Sequence, residues 1–172
     1  MSLQEISLKK LSAFRPISIE LPASKSISNR ALIINALCSE SGILNNLSEA
    51  RDTKTMERLL GTSSDTLDVL DAGTTMRFLT AYLTVTNQKK IITGTARMCQ
   101  RPIKILVDAL KSLGAEINYL EEDGYPPLKL NGLKDQMTDT ITIRGDVSSQ
   151  YISALVMIAP VLPKGLNIIL EE

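Results

Sequence analysis

Leu21-Pro22-Ala23-Ser24-Lys25-Ser26-Ile27-Ser28-Asn29-Arg30-Ala31-Leu32 opens a predicted helix whose first turn holds hydroxyls and a lysine but nothing acidic. Helix N-termini carry partial positive charge and ordinarily attract Asp or Glu. A cation there is unfavourable unless an anion lies between it and the free backbone N–H groups. Most Ser-capped helices with a Lys and an Arg are simply solvated. Here Lys25 sits in the first turn, and Arg30 follows five residues later, within reach of the same end. The helix is expected to run from Ser24 to Cys38. Its apolar residues Ile27, Ala31, Leu32, Ile33, Ile34, Ala36, Leu37 and Cys38 spread around most of its circumference. Such a helix belongs inside a structure.

The surrounding segments extend this start into a pattern. Ile17–Leu21 alternates as a strand ended by Pro22. Gly42–Leu47 offers a second strand, Asp52–Leu60 a helix capped by Asp52, and Leu67–Leu70 another short strand. Asp71-Ala72-Gly73-Thr74-Thr75-Met76-Arg77 then repeats the opening device ahead of a strongly apolar helix over Thr74–Val85. Gly73 allows close backbone approach, Thr74 offers an N–H and a hydroxyl, and Arg77 offers a fork for phosphate or carboxylate. A strand over Lys90–Thr93 precedes Arg97 and Arg101. A helix over Pro102–Leu113 comes next, with Pro at its first position and Gly114 as its stop. Strands are expected at Glu116–Leu120, Leu128–Leu130 and Thr140–Arg144. Ser148-Ser149-Gln150 opens the third apolar helix, Ser149–Val161, and a strand at Leu166–Leu170 follows.

The order strand, buried helix, strand, second helix, further strands thus appears about two and a half times. Sheets packed around central helices that all point one way would gather the three starts at a single mouth. The ligand expected there is a polyanionic small molecule.

Composition narrows the chemistry. The 172 residues suffice for one domain with a sizeable core. Nineteen basic residues balance nineteen acidic ones, so no global field favours nucleic acid or membrane, and cations must act locally. Aromatic residues make up 3% with no Trp, which argues against base-stacking platforms. Histidine is absent, excluding Ser-His and Cys-His nucleophile pairs, imidazole shuttles and His-ligated zinc within the chain. Acid–base work falls to Lys, Asp, Glu or Tyr. Cys38 and Cys99 lie in no CxxC spacing and read as buried thiols of a reducing compartment. No secretory leader and no apolar run of membrane-spanning length is evident, so a cytoplasmic setting is expected.

Taken in order, Leu-Pro-x-Ser-Lys-Ser-x-Ser-Asn-Arg-Ala-Leu, Asp-Ala-Gly-Thr-Thr-Met-Arg, Gln-Arg-Pro-Ile and Gly-Asp-x-Ser-Ser-Gln-Tyr resemble enolpyruvylshikimate-phosphate synthases, the 3-phosphoshikimate 1-carboxyvinyltransferases. The resemblance runs from about Ile17 to Pro160, and its first motif is highly specific. It implies an α/β enzyme built of repeated βαβαββ units, with buried helices and sheets outside, the inside-out barrel of enolpyruvyl transferases. The third repeat is incomplete here. Residues 1–20 would supply a strand to a second domain, and residues 21–172 would form an incomplete first domain. The implied reaction, a step of aromatic amino-acid biosynthesis, joins phosphoenolpyruvate to the ring hydroxyl of shikimate 3-phosphate. It passes through a tetrahedral intermediate and releases phosphate, without metal or organic cofactor.

Carried over residue by residue, the resemblance gives Lys25 contact with both substrates and a catalytic role. Ser26, Arg30, Ser148, Ser149 and Gln150 would hold shikimate 3-phosphate. Gly73, Arg101 and Gln150 would line the phosphoenolpyruvate site, with Asp71, Thr74 and Arg77 in the matching second motif. Two anionic substrates must be brought together against their repulsion, a task for fixed cations and N–H groups.

Departures from the family pattern are specific. Asp71 stands where Asn is usual, Phe78 replaces a Pro, and Thr62–Val69 is short, as a trimmed surface hairpin would be. The family's Ser-x-Pro-Tyr motif and its second domain, with the acid–base carboxylates, are missing, so the chain alone is expected to be inactive. It would pack against that C-terminal domain. One alternative is the enolpyruvyl transferase acting on UDP-N-acetylglucosamine, which carries an active-site Cys near the position of Cys99. Another is a non-catalytic anion-binding half-domain. Related repeats occur in RNA 3′-terminal phosphate cyclase, but the neutral charge disfavours RNA.

Overall fold

A computed structural model describes residues 7, 9, 10 and 16–171. Around a single helix, α3 (Gly73–Val85), the rest of the described chain is arranged. Ten of its thirteen residues are buried, including Met76, Phe78, Leu79 and Ala81. Thr80 and Thr84 are also buried, and their hydroxyls donate one turn back to Met76 O and Thr80 O, each at 2.7 Å. These polar groups therefore enter the core already satisfied.

One side of α3 is covered by a four-stranded sheet in the order β1 (Thr66–Asp68), β2 (Lys90–Thr93), β4 (Leu128–Gly132), β3 (Glu116–Tyr119). β1 runs parallel to β2 with Leu67 opposite Ile92. β2 is antiparallel to β4 with Ile92 opposite Leu128, and β3 is antiparallel to β4 with Ile117 opposite Leu130. These five apolar residues share the buried face, while Asp68, Asn118 and Lys129 alternate outward or to the rim. Helix α5 (Lys104–Ser112) closes this layer with its stripe Leu106, Val107 and Leu110. Gly114, at φ 107°, carries the chain out of α5 into β3 as the predicted stop.

The other side of α3 is met by α1 (Lys25–Leu37), α2 (Arg51–Leu60) and α6 (Ser149–Ile158), the last continuing into a short 3-10 turn over Ala159–Val161. β5 (Thr140–Arg144) and β6 (Asn167–Glu171), joined through α6, form a separate parallel pair. From β1 to β4 the major elements follow the order strand, helix, strand, helix, strand, strand, interrupted by the short α4 (Ala96–Cys99). No helix among the described residues is long and apolar enough to cross a membrane.

Several expectations are corrected. Ile17–Leu21 and Gly42–Leu47 form no strand: neither segment finds a pairing partner among the described residues, and Ile17, Leu21 and Ile43 are exposed. Residues 1–6, 8 and 11–15 of the expected N-terminal segment lie outside the described residues. α1 is not enclosed, because Ile27 is 70% and Ile34 50% exposed. α2 is preceded by Ala50, with no side-chain cap, because Asp52 lies inside its first turn and is engaged elsewhere. α5 starts at Lys104 and not at Pro102, since Ile103 takes non-helical angles (φ −135°, ψ 0°) and serves as the cap, its N–H bonded to Gly124 O at 2.9 Å. Both cysteines are free, but Cys38 is exposed and Cys99 only half-buried.

Candidate functional site

Ser24 caps α1 as expected, its Oγ accepting from the Ile27 N–H at 3.4 Å. Lys25 is then the first helical residue, where its ammonium faces the helix's own positive end. A carboxylate from another helix start answers it: Lys25 Nζ lies 2.9 Å from Asp52 Oδ2, in the first turn of α2. The Asp52 carbonyl accepts in turn from Thr75 Oγ1, in the first turn of α3, at 3.3 Å. The starts of α1, α2 and α3 are thereby linked side by side.

Arg30 extends the cluster toward α6. Its Nη1 donates to Ser26 O and its Nη2 to Ser153 Oγ, each at 3.0 Å, and its guanidinium stacks 5.6 Å from the Phe78 ring centroid. At the head of α6, Ser148 Oγ accepts from the Gln150 N–H at 3.3 Å, with Ser149 exposed and Gln150 half-buried. Lys25 and Ser26 are exposed at the other side of this junction.

The second motif turns sharply between β1 and α3. Leu70 takes φ 56°, a left-handed conformation that costs a leucine about 1–2 kcal/mol and that only a well-determined surrounding maintains. Asp71 follows, exposed, and its Oδ1 accepts from Thr95 Oγ1. That role needs an acceptor oxygen, which Asp and Asn both have. Thr95 Oγ also caps α4, accepting from the Met98 N–H at 3.3 Å. Gly73 is buried beneath Arg101: a methyl group built on its Cα would fall 2.7 Å from Arg101 Cζ, so a larger residue there would displace the Arg101 guanidinium from this position. Thr74 is half-buried beside it. Asp71, Arg97 and Arg101 line a cleft of about 370 Å³. Cys99 Sγ is engaged with Gly94 O at 3.7 Å and Thr93 Oγ1 at 3.8 Å, away from that lining.

Arg77 departs from the role its spacing suggests. It is 5% exposed, and its fork donates to the Gly73 carbonyl at 3.0 Å and the Pro102 carbonyl at 2.9 Å. Burial pushes its guanidinium below the usual arginine range, the adjacent Tyr151 phenol partly opposes this, and nearby Arg101 adds to the lowering. Both ends of the expected phosphate fork are therefore already taken by backbone.

Lys25, Arg30, Gly73, Thr74, Arg77 and Arg101 are tied through these contacts into one region, with Asp71 at its rim and Ser148–Gln150 at its α6 side. Asp52, Ser153, Thr95 and Tyr151 belong to the same network and were not singled out from spacing. For Asp52 the available signal was an acid at the head of a neighbouring helix. For Tyr151 it was the position directly after Gln150. Cations gathered beside helix N-termini at one end of a helical layer form a surface chemically suited to small anions.

The model of the family described as EPSP synthase (3-phosphoshikimate 1-carboxyvinyltransferase) matches residues 16–62 and 57–172. A 3-phosphoshikimate 1-carboxyvinyltransferase of Bacteroides fragilis (strain YCH46) is 55% identical over 151 residues, covering 88% of this chain and 37% of the relative. One of Shewanella sp. (strain ANA-3) is 41% identical over 176 residues, covering 87% and 41%. In fold, the chain is similar to the EPSP synthase from Acinetobacter baumannii, with a TM-score of 0.72 at 21% identity over 84% of this chain and 38% of that one. The chain thus spans about two fifths of the length of the curated relatives it matches. Matched along nearly all of its described length and sharing the mixed α/β fold, the chain belongs to the EPSP synthase family.

Proposed function

We propose that this chain contributes the N-terminal substrate-binding part of an enzyme that transfers the enolpyruvyl group of phosphoenolpyruvate to shikimate 3-phosphate, releasing phosphate. The observation that carries this reading is the linkage of helix starts, Lys25 to Asp52 to Thr75, with Arg101 laid on Gly73 beside them. It places a lysine, an arginine and several free N–H groups within one region, as the joining of two anions requires. Lys25 would touch both substrates and stabilise charge as the ring oxygen bonds to the enolpyruvyl carbon. Ser26, Arg30, Ser148 and Ser149 would hold shikimate 3-phosphate. Gly73 and Arg101 would hold phosphoenolpyruvate, with Gln150 between the two ligands. Asp71 and Thr74 would shape the phosphoenolpyruvate side.

In this reading the strand–helix order from β1 to β4 is one βαβαββ unit of an inside-out barrel, with β5, α6 and β6 belonging to the next. Residues 1–20 would reach a second domain, and residues 21–172 would form part of the first. The exposed faces of Ile27 and Ile34 suit packing against further parts of such an enzyme, which works in the cytoplasm on small molecules alone. The acid–base groups would come from that second domain, so the isolated chain should release no phosphate in steady state.

Calorimetric titration with shikimate 3-phosphate, repeated with Lys25→Ala and Arg30→Ala, tests the reading. Saturable binding that weakens at least tenfold in each variant is expected. Binding that is unchanged in both variants would remove these residues from the site.

A further inference from the structure

The Arg77 guanidinium has no carboxylate partner among the described residues, although it is almost fully buried. Keeping an unpaired cation in the interior is costly, and an apolar residue would fill the same space more cheaply if packing were all that mattered. The groups that receive its charge show what it does. One is Gly73 O in the first turn of α3, at 3.0 Å; the other is Pro102 O, at 2.9 Å, on the loop that carries Arg101. That carbonyl takes a second hydrogen bond, from Tyr151 Oη of α6 at 2.8 Å, and the Tyr151 ring stacks 5.6 Å from the Arg77 guanidinium. One oxygen thus joins three elements distant in sequence.

Each partner is also a neighbour of a residue assigned above to the phosphoenolpyruvate side. Gly73 is itself one, Pro102 follows Arg101, and Tyr151 follows Gln150. We propose that Arg77 and Tyr151 are positioning residues: by clamping the Pro102 carbonyl from two sides, they hold the Arg101 guanidinium against Gly73 and fix the head of α6 at the same spot. The part of this proposal that concerns phosphoenolpyruvate rests on the function proposed above; the clamp itself does not. Arg77 then never touches substrate. Lysine does not replace it, since a single ammonium cannot serve two carbonyls and stack on a ring at once.

Two measurements on the same chain test this. Backbone amide exchange reports the loop directly, through the Arg101 N–H, bonded to Met98 O, and the Ile103 N–H, bonded to Gly124 O. Tyr151→Phe keeps the ring and removes one of the two bonds to Pro102 O. It should speed exchange at Arg101 and Ile103 about tenfold, the scale of one lost hydrogen bond, while amides of β3 and β4 keep their rates. Arg77→Lys should do the same and not restore wild-type protection. Titration should show phosphoenolpyruvate binding weakened about five- to tenfold in both variants, with a smaller loss for shikimate 3-phosphate, which shares only the head of α6 with the clamp. Unchanged exchange at Arg101 and Ile103 in Tyr151→Phe overturns the clamp. Equal losses for both ligands with uniformly faster exchange reduce it to general stability and overturn positioning. Selective exchange in a wild-type chain that binds neither ligand supports the clamp and overturns the proposed function instead.

Discussion

α1 and α3 open alike, with hydroxyls, a cation and no acid, and both continue as strongly apolar helices. Their surroundings differ completely. α3 is enclosed by β2 and β4 on one side and by three helices on the other, whereas α1 rests on α2, α3 and α6 and leaves Ile27 and Ile34 in solvent. The flanking segments account for the difference. Around α3 the strands at 66–68 and 90–93 pair with each other in parallel register, while the segments around α1, 17–21 and 42–47, pair with nothing among the described residues. An all-round apolar helix therefore states a requirement for cover, and only the neighbouring strands decide whether the requirement is met.

The sharpest way to break this contrast is truncation in α3. Phe78 is fully buried and also seats the Arg30 guanidinium, so Phe78→Ala should cost about 3–5 kcal/mol of unfolding free energy in urea titration. A cost under about 1 kcal/mol would mean that α3 is not the centre of the core.

A second test lies at the α1–α2 contact. Thr53 Oγ1 donates to Asn29 Oδ1 at 2.9 Å, both residues are wholly buried, and Asn29 Nδ2 already lacks a partner. Thr53→Val keeps the shape and strands the oxygen as well, for an expected loss of about 1–3 kcal/mol by the same measurement. No loss would place water at this contact and make α1's attachment looser than its hydrogen bonds suggest.

The smallest effect belongs to the bare side of α1. Ile27→Ser should change stability by only about 0.5 kcal/mol, and Ile34→Ser, at a position half covered, by about 1 kcal/mol. A loss of 2 kcal/mol or more, on the scale of a buried side chain, would show that this face is covered in solution and erase the contrast with α3.

What could be read from the residues follows the reach of each interaction. Ser24 as a cap and Gly114 as a stop were legible because both act within one turn of their own helix. The Pro102 start was not, because Ile103 takes non-helical angles while its N–H bonds to Gly124 O, a contact twenty-one residues away that no local signal announces. The short α4 has no periodicity to betray it. Only Thr95, a cap-type residue, marks it. At the candidate site, Lys25, Arg30, Gly73 and Arg101 were visible as motifs, but their partners were not. Asp52 looked like a helix cap until the fold brought Lys25 to it. Arg77 looked like a ligand fork until the fold closed it over two carbonyls. Its placement between Met76 and Phe78, both wholly buried, was the available hint that this arginine faces inward.

The inward hydroxyls of α3 have a consequence for how the molecule can change over generations. Thr80 and Thr84 settle their bonds within their own helix, so the strands and helices that enclose them are free to drift in identity as long as they preserve volume. Asn29 and Thr53 have no such independence. Each is the other's answer across two helices, and a substitution at either is tolerated only with a matching one at its partner. The most deeply buried helix of the molecule is in this sense the more portable, and the half-exposed one the more tightly bound to its history.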